Sequence, residues 1–352
     1  MWQRLSLIVL ISLLTSCSPT YVAKAGWEEA KILWAKEDIK DLLEDTELED
    51  ELRDQLELVQ NVRSFAETKN LTPGGSYKEY ADIGRDKLVW VLSASEKRAL
   101  RPLTWWFPVV GSIPYKGFFD KEDAINLAKE LETKGYDIYV RHSPAFSTLG
   151  WFNDPLLNTM LSMDEISLTN TVIHEILHNT LWISDSAIFN ESLANFVGGI
   201  GAVEYYAQTS PKKSAQAKDR LHDDILYSQF LGQVKPELVK FYEENQETPL
   251  EDLIALRLEY FKNLEERWSQ LPAKTDSFRI LGKRLNNAVL LAQLVYYANL
   301  EQFCKLYYAK GSDLTSFLAA LVELKSTLEQ RDPFDELSSF LVDSPSECEI
   351  LD

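Results

Sequence analysis

The sequence predicts an α+β fold. Apolar residues recur at helical spacing through nearly all of the C-terminal half. The middle of the chain holds short runs rich in β-branched and aromatic residues, punctuated by turn formers. An acidic stretch near the N-terminus keeps its leucines at helical intervals. At 352 residues, 45% hydrophobic and 26% charged, the chain has material for a sizeable core, in one large domain or two smaller ones. Its 55 acidic against 36 basic residues leave a net charge of −19, which repels phosphate backbones and anionic headgroups. Nucleic acid is thereby excluded as an expected partner.

The first segment, residues 1–17, reads "MWQRLSLIVLISLLTSC": Arg4, then an apolar run from Leu5 to Leu14. That run is short of the roughly 20 residues needed to span a bilayer and fits an export signal. Leu14-Thr15-Ser16-Cys17 resembles a bacterial lipobox, in which the cysteine is acylated. The expectation is a signal peptide over 1–17 and a membrane anchor at Cys17. Ser18 rather than aspartate follows Cys17, which by resemblance to sorting preferences favours the outer membrane, facing the periplasm.

Residues 18–352 are expected to form a single domain. Within it, 21–69 reads as a pair of helices, with Ile39, Leu42, Leu43, Leu48, Leu52 and Leu56 on the apolar side of the acidic tract 37–57. "NLTPGGSY" (70–77) ends the pair as a loop. The sheet region, 87–161, contains strand-like runs at 87–94, 103–119 and 136–143. Between the last two, Asp120 is the expected N-cap of a helix over 121–135 closed by Gly135. Residues 144–161 are mixed and read as extended near "STLGW". Two helices are expected over 166–207 and a helical C-terminal part over 213–341. Breaks fall near 209–212, 246–250, 272–276, 310–313 and 331–334.

Cysteine use is sparse. Cys304 and Cys348 are able to pair in an exported chain, but two residues are not a disulfide framework. Cys304 lies in an apolar helical stretch and reads as a buried structural thiol. Neither has a histidine close in sequence, so a cysteine nucleophile is not expected.

Chemistry concentrates in "IHEILHNTLWISDSAIFNES" (173–192). His174 and His178 are four apart, so on a helix they share a face one turn apart and are able to bind one ion. The intervening Glu175 sits beside them, angled toward a bound water. Apolar Val172, Ile173, Ile176 and Leu177 would bury this helix and leave the histidines needing a partner. A catalytic zinc takes three protein ligands and keeps one open position. Glu191, in the first turns of the next helix, is the expected third ligand. Asp185 is a competing ligand, although its place before an apolar run suits an N-cap, shared with Ser184 as a candidate. His, His and Glu around a non-ligating Glu is the gluzincin pattern on a zincin-like HExxH helix.

With one Zn2+ bound, Glu175 is expected to serve as general base in peptide-bond hydrolysis by a zinc-activated water. The oxyanion then needs a further donor, with Tyr205, Tyr206, Tyr296 and Tyr297 as candidates. Histidine ligands also need acceptors behind them, for which Asn195, Asn190 and Asp154 are candidates. The other two histidines look uninvolved. His142 ends a strand, and His222 reads as part of a solvated helical face.

The blocks "AFSTLGWFNDPLLNTML" and "VIHEILHNTLWISDSAIFNESLANFVGGIGA" resemble a bacterial aminopeptidase family of exported zinc peptidases. "VRSFAETKNL", "SYKEYADIGRDKLVWVLSA", "WWFPVVGSIPYKGFF" and "RLNNAVLLAQLVYY" extend the resemblance over almost the whole chain after Cys17. The resemblance implies His174, His178 and Glu191 as ligands, Glu175 as base and a peptide as substrate. It also suggests that Ser147, Thr148, Leu149, Gly150 and Trp151 form an edge strand that pairs with the substrate backbone. An envelope endopeptidase, or a lipoprotein scaffold with a structural zinc site, are the alternative readings.

Overall fold

The computed structural model describes residues 19–107, 111–143, 153–276, 285–343 and 347–351. Cys17 with the signal segment, and the expected substrate strand 147–151, lie outside the described residues. Among those described, no helix is long and apolar enough to cross a membrane.

The N-terminal piece is more divided than a helical pair. Helix α1 (Pro19–Trp34) leads into strand β1 (Lys36–Asp38), short helix α2 (Ile39–Glu44) and helix α3 (Asp50–Thr68). Asp38 explains the early restart, because its side chain accepts from the Lys40 amide and caps α2. The heptad-like leucines do face inward: Ile39 and Leu56 are fully buried, and Leu42, Leu43, Leu48 and Leu52 pack against the core. Strand β1 pairs antiparallel with β2 (Glu79–Ala81), which runs parallel to β8 (Leu156–Leu157).

Among the described residues the strands form three small sheets. The main one has β3 (Val89–Glu96) between β6 (Lys116–Phe118) and β7 (Tyr136–Ser143), all antiparallel, in register from Val89 opposite Ser143 to Glu96 opposite Tyr136. Separately, β4 (Trp105–Phe107) pairs antiparallel with β5 (Gly111–Ile113). Helix α4 (Lys121–Thr133) covers the main sheet, burying Ala124, Ala128 and Leu131 against Leu92, Ala94 and Phe118. Its N-cap is Asp120, which accepts from the Glu122 and Asp123 amides. Gly135, at φ 89°, makes the left-handed turn into β7.

The rest is helical: α5 (Glu165–Thr180), α6 (Ala187–Thr209), α7 (Pro211–Glu244), α8 (Leu250–Ser269), α9 (Asn287–Tyr296), α10 (Leu300–Ala309), α11 (Leu314–Leu328) and α12 (Pro333–Asp343). The expected breaks coincide with or closely follow helix ends. One break was not signalled: α9 and α10 part at Ala298 and Asn299, where Asn299 takes the left-handed conformation at φ 53°. Helix α6 is apolar nearly all round and lies inside the body, packed on α5 and α7. Gly198 permits the approach to α5, since a Cβ there would lie 2.7 Å from the Asn170 carbonyl oxygen.

Two side-chain expectations change. Cys304 is buried but forms a disulfide with Cys348, which ties α10 to the C-terminal segment. His222 is buried rather than solvated, its Nδ1 2.9 Å from Asp223 Oδ1.

Candidate active site

Helix α5 starts at Asp164, whose carboxylate accepts from the Ile166 and Ser167 amides and is clamped by Arg220 at 2.9 Å. Burying Ile166, Leu168, Val172, Ile173, Ile176 and Leu177 fixes the helix rotation. His174 and His178 then stack on the face turned to α6, with ring centroids 5.0 Å apart.

Glu191 comes from the second turn of α6. Its Oε2 lies 3.3 Å from His174 Nε2 and 3.8 Å from His178 Nε2. One ligand atom from each residue falls within 4.8 Å of the other two, and among the described residues this is the group found able to hold a metal. Zinc bonds of about 2.0–2.2 Å in a tetrahedron put neighbouring ligand atoms about 3.4 Å apart. Both distances to Glu191 are close to that edge. A second observation points the same way: Glu175 Oε2 is buried with no hydrogen-bond partner among the described residues. The donor set therefore fits a single zinc with a carboxylate held beside it.

The connection between the two helices is stapled by Asn190. Its Oδ1 accepts from the Ile183 amide at 2.9 Å and its Nδ2 donates to the Ile183 carbonyl at 2.7 Å. Ser186, with no side-chain capping bond, is the N-cap of α6 in place of the expected Ser184 or Asp185. Asp185 is exposed, sits at φ 56° and does not join the metal-binding group. Its Oδ1 lies against Gly111, 2.4 Å from where a Cβ would stand.

The charges act on one another as a unit. Burial pushes the Glu191 carboxyl up, but the imidazoles of His174 and His178 overrule it and hold it well below the usual carboxylate range. Burial lowers His178, and the carboxylates of Glu191 and Glu175 more than reverse this. Three tyrosines register the negative charge of the site. Burial, with Glu175 and Asp154, holds the Tyr77 phenol well above its ordinary value. Burial, with Glu191, Tyr296 and Glu175, does so for Tyr115.

Tyr296 is pushed up to about 12 by burial and by Glu191 and Glu175, against the pull of Arg141. Arg141 Nη2 donates to the Tyr296 hydroxyl at 3.0 Å, and the Tyr296 ring lies 6.4 Å from the His174 ring. The phenol thus keeps its proton while its oxygen accepts from a cation.

Of the four candidate tyrosines, Tyr296 is the one whose ring is set against His174 among the described residues. Tyr206 donates to the Glu165 carbonyl and meets Thr169 at 3.1 Å, near the start of α5. Tyr205 packs edge-on to Phe65, and Tyr297 to Tyr227. Nor do the candidate acceptors meet the buried His178 Nδ1, which has no hydrogen-bond partner among the described residues. Asn195 donates to the Tyr296 carbonyl, Asn190 closes the loop, and the Asp154 carbonyl accepts from the Tyr77 amide. His142 is exposed and tilts on Trp90.

Tyr77, Tyr115 and Arg141 were not singled out from the sequence. Each is an ordinary loop or strand residue there, and only the fold brings it to the carboxylates. Alternation along β7 does separate Arg141 from His142, but nothing local says which face meets α9.

Two imidazoles and a carboxylate converge on one point beside the buried Glu175 Oε2, a donor set able to hold one metal ion. The family model described as "Putative aminopeptidase" matches residues 20–333, and the chain belongs to that family. Neither the comparison with curated proteins nor that with solved structures returns a match.

Proposed function

We propose that the chain is a zinc-dependent aminopeptidase. The observation that carries this reading is Glu191 Oε2 set against both histidine Nε2 atoms, while Glu175 Oε2 is buried with no hydrogen-bond partner among the described residues. His174, His178 and Glu191 would hold the ion. Zinc in such a site supplies Lewis acidity toward a carbonyl and lowers the pKa of water. Glu175 accepts the proton from the attacking water and returns it to the leaving amine. Tyr296, protonated and braced by Arg141, donates a hydrogen bond to the oxygen that becomes negative. The family's description as an aminopeptidase supports a peptide with a free N-terminus as substrate.

The test is zinc content by elemental analysis together with hydrolysis of peptides bearing free or acetylated N-termini. Stepwise loss of residues from free termini alone is expected. Internal cleavage regardless of acetylation would instead make it an endopeptidase. Bound zinc with no cleavage would leave a scaffold.

We also propose that the protein is lipid-anchored at Cys17 on the periplasmic face of the outer membrane. The lipobox-like LTSC supports this, as does the Cys304–Cys348 disulfide, since disulfides persist in oxidising compartments. Cys17→Ala is expected to move the protein from membrane to soluble fractions. Unchanged partitioning would contradict the anchor.

A further inference from the structure

A cavity of about 270 Å3 runs between α5, α6 and α7, one helical turn from the metal-binding residues. Asn170 and Thr171 on its wall precede His174 by one turn of α5, and Asn195 follows Glu191 by one turn of α6. The cavity therefore continues along the two helix faces that carry the metal-binding residues. Its volume is below the ~300–1,000 Å3 typical of whole cofactors and drug-sized ligands, and suits a single side chain.

Charge decides which side chain. Two ionisable residues of α7 line the cavity, Arg220 and Asp224. Arg220 is already paired, donating to both oxygens of Asp164 and to Ser167 Oγ. Asp223, next in the chain, is also committed, accepting from the Lys274 and Thr275 amides and the Thr275 hydroxyl. Asp224, half-buried, makes no hydrogen bond or ion pair among the described residues. Burial, and Asp223 beside it, push its carboxyl up to about 8 despite the pull of Arg220. A carboxyl in that state is one that an incoming cation would ionise and pair with. The other polar groups on the wall, the Asn170 and Asn195 amides and the Thr171 hydroxyl, offer acceptors for the remaining protons of an ammonium or guanidinium.

We propose that this cavity is a specificity pocket that receives the lysine or arginine side chain of a peptide residue next to the scissile bond, with Asp224 as its counter-ion. The proposal rests on the peptidase reading and names the substrate class of that site: peptides with a basic residue at the cleavage point.

The test pairs hydrolysis with binding in the full-length protein. Tetrapeptides with lysine or norleucine at the first or second position are compared, so that only the terminal charge differs. Binding is measured on Glu175→Gln protein by calorimetry, independently of turnover. The lysine peptide is expected to bind at least about 10-fold tighter than its norleucine partner at one of the two positions. The ratio should fall toward one in Asp224→Asn and be partly restored in Asp224→Glu. A lysine ratio that survives Asp224→Asn, equal binding of both peptides, or binding of neither would overturn the proposal. Lysine-selective binding without hydrolysis by the unaltered protein would sink the peptidase reading and leave the pocket standing. Hydrolysis without lysine preference would do the reverse.

Discussion

Asn195 donates from Nδ2 to the Tyr296 carbonyl at 3.1 Å, so the helix that supplies Glu191 also grips the end of the helix that supplies Tyr296. Ser192 adds a second hold, donating to the Val295 carbonyl and accepting from the Ala298 amide. The proposed metal ligand Glu191 and the proposed oxyanion donor are thus positioned by one helix. Tyr296→Phe is expected to lower kcat by about 10²–10³-fold with zinc content unchanged. Asn195→Ala, which only loosens the placement, should cost about 10- to 100-fold. Steady-state kinetics with elemental analysis checks both, and full activity in Tyr296→Phe would remove that residue from the mechanism.

The assignment of the third ligand separates two neighbouring carboxylates. Glu191→Ala is expected to weaken zinc binding by more than about 100-fold, beyond the 10–100-fold typical of residues behind the ligands. Asp185→Ala should retain zinc. Competition with a chelator measures both, and the reverse pattern would exchange their roles.

Asp224 gives a pH signature of its own. Its carboxyl titrates at about 8 in the folded chain against about 4 when unfolded. The folded state therefore binds the extra proton between those values, and stability falls as pH rises from about 4 to about 8. The charges facing it are Arg220 and Asp223 on its own helix, Asp164 through Arg220, and the Tyr297 phenol. Asp224→Asn removes the burden. Denaturant unfolding should show this variant gaining stability over the parent as pH rises to 8, with no gain near pH 4. A pH-independent difference would contradict the shift.

Much of the site was legible because a helix turns spacing directly into geometry. His174, Glu175 and His178 needed no tertiary information to share a face, and a short connection left Glu191 little choice but to fold back on them. The α+β class and most helix ends followed from period and turn formers in the same way. Contacts between distant segments were not legible. Arg141 comes from a strand and Tyr296 from a helix end 155 residues on, and neither carries a local mark of their meeting. His222 misled for a related reason. Its neighbours Arg220, Asp223 and Asp224 look solvated in sequence, yet Asp223 is turned inward to cap the loop at Lys274 and Thr275. Asn299 hid a helix break because asparagine enters the left-handed region without a flanking glycine or proline to announce it.

On the proposed mechanism Glu175 works beside a metal rather than holding the fold together. The direct measurement is peptide hydrolysis and zinc content in Glu175→Gln, which keeps shape and removes the base. Full zinc occupancy, unchanged thermal stability and a loss of about 10²–10⁴-fold in kcat are expected. Turnover at the parent rate with zinc bound would contradict it.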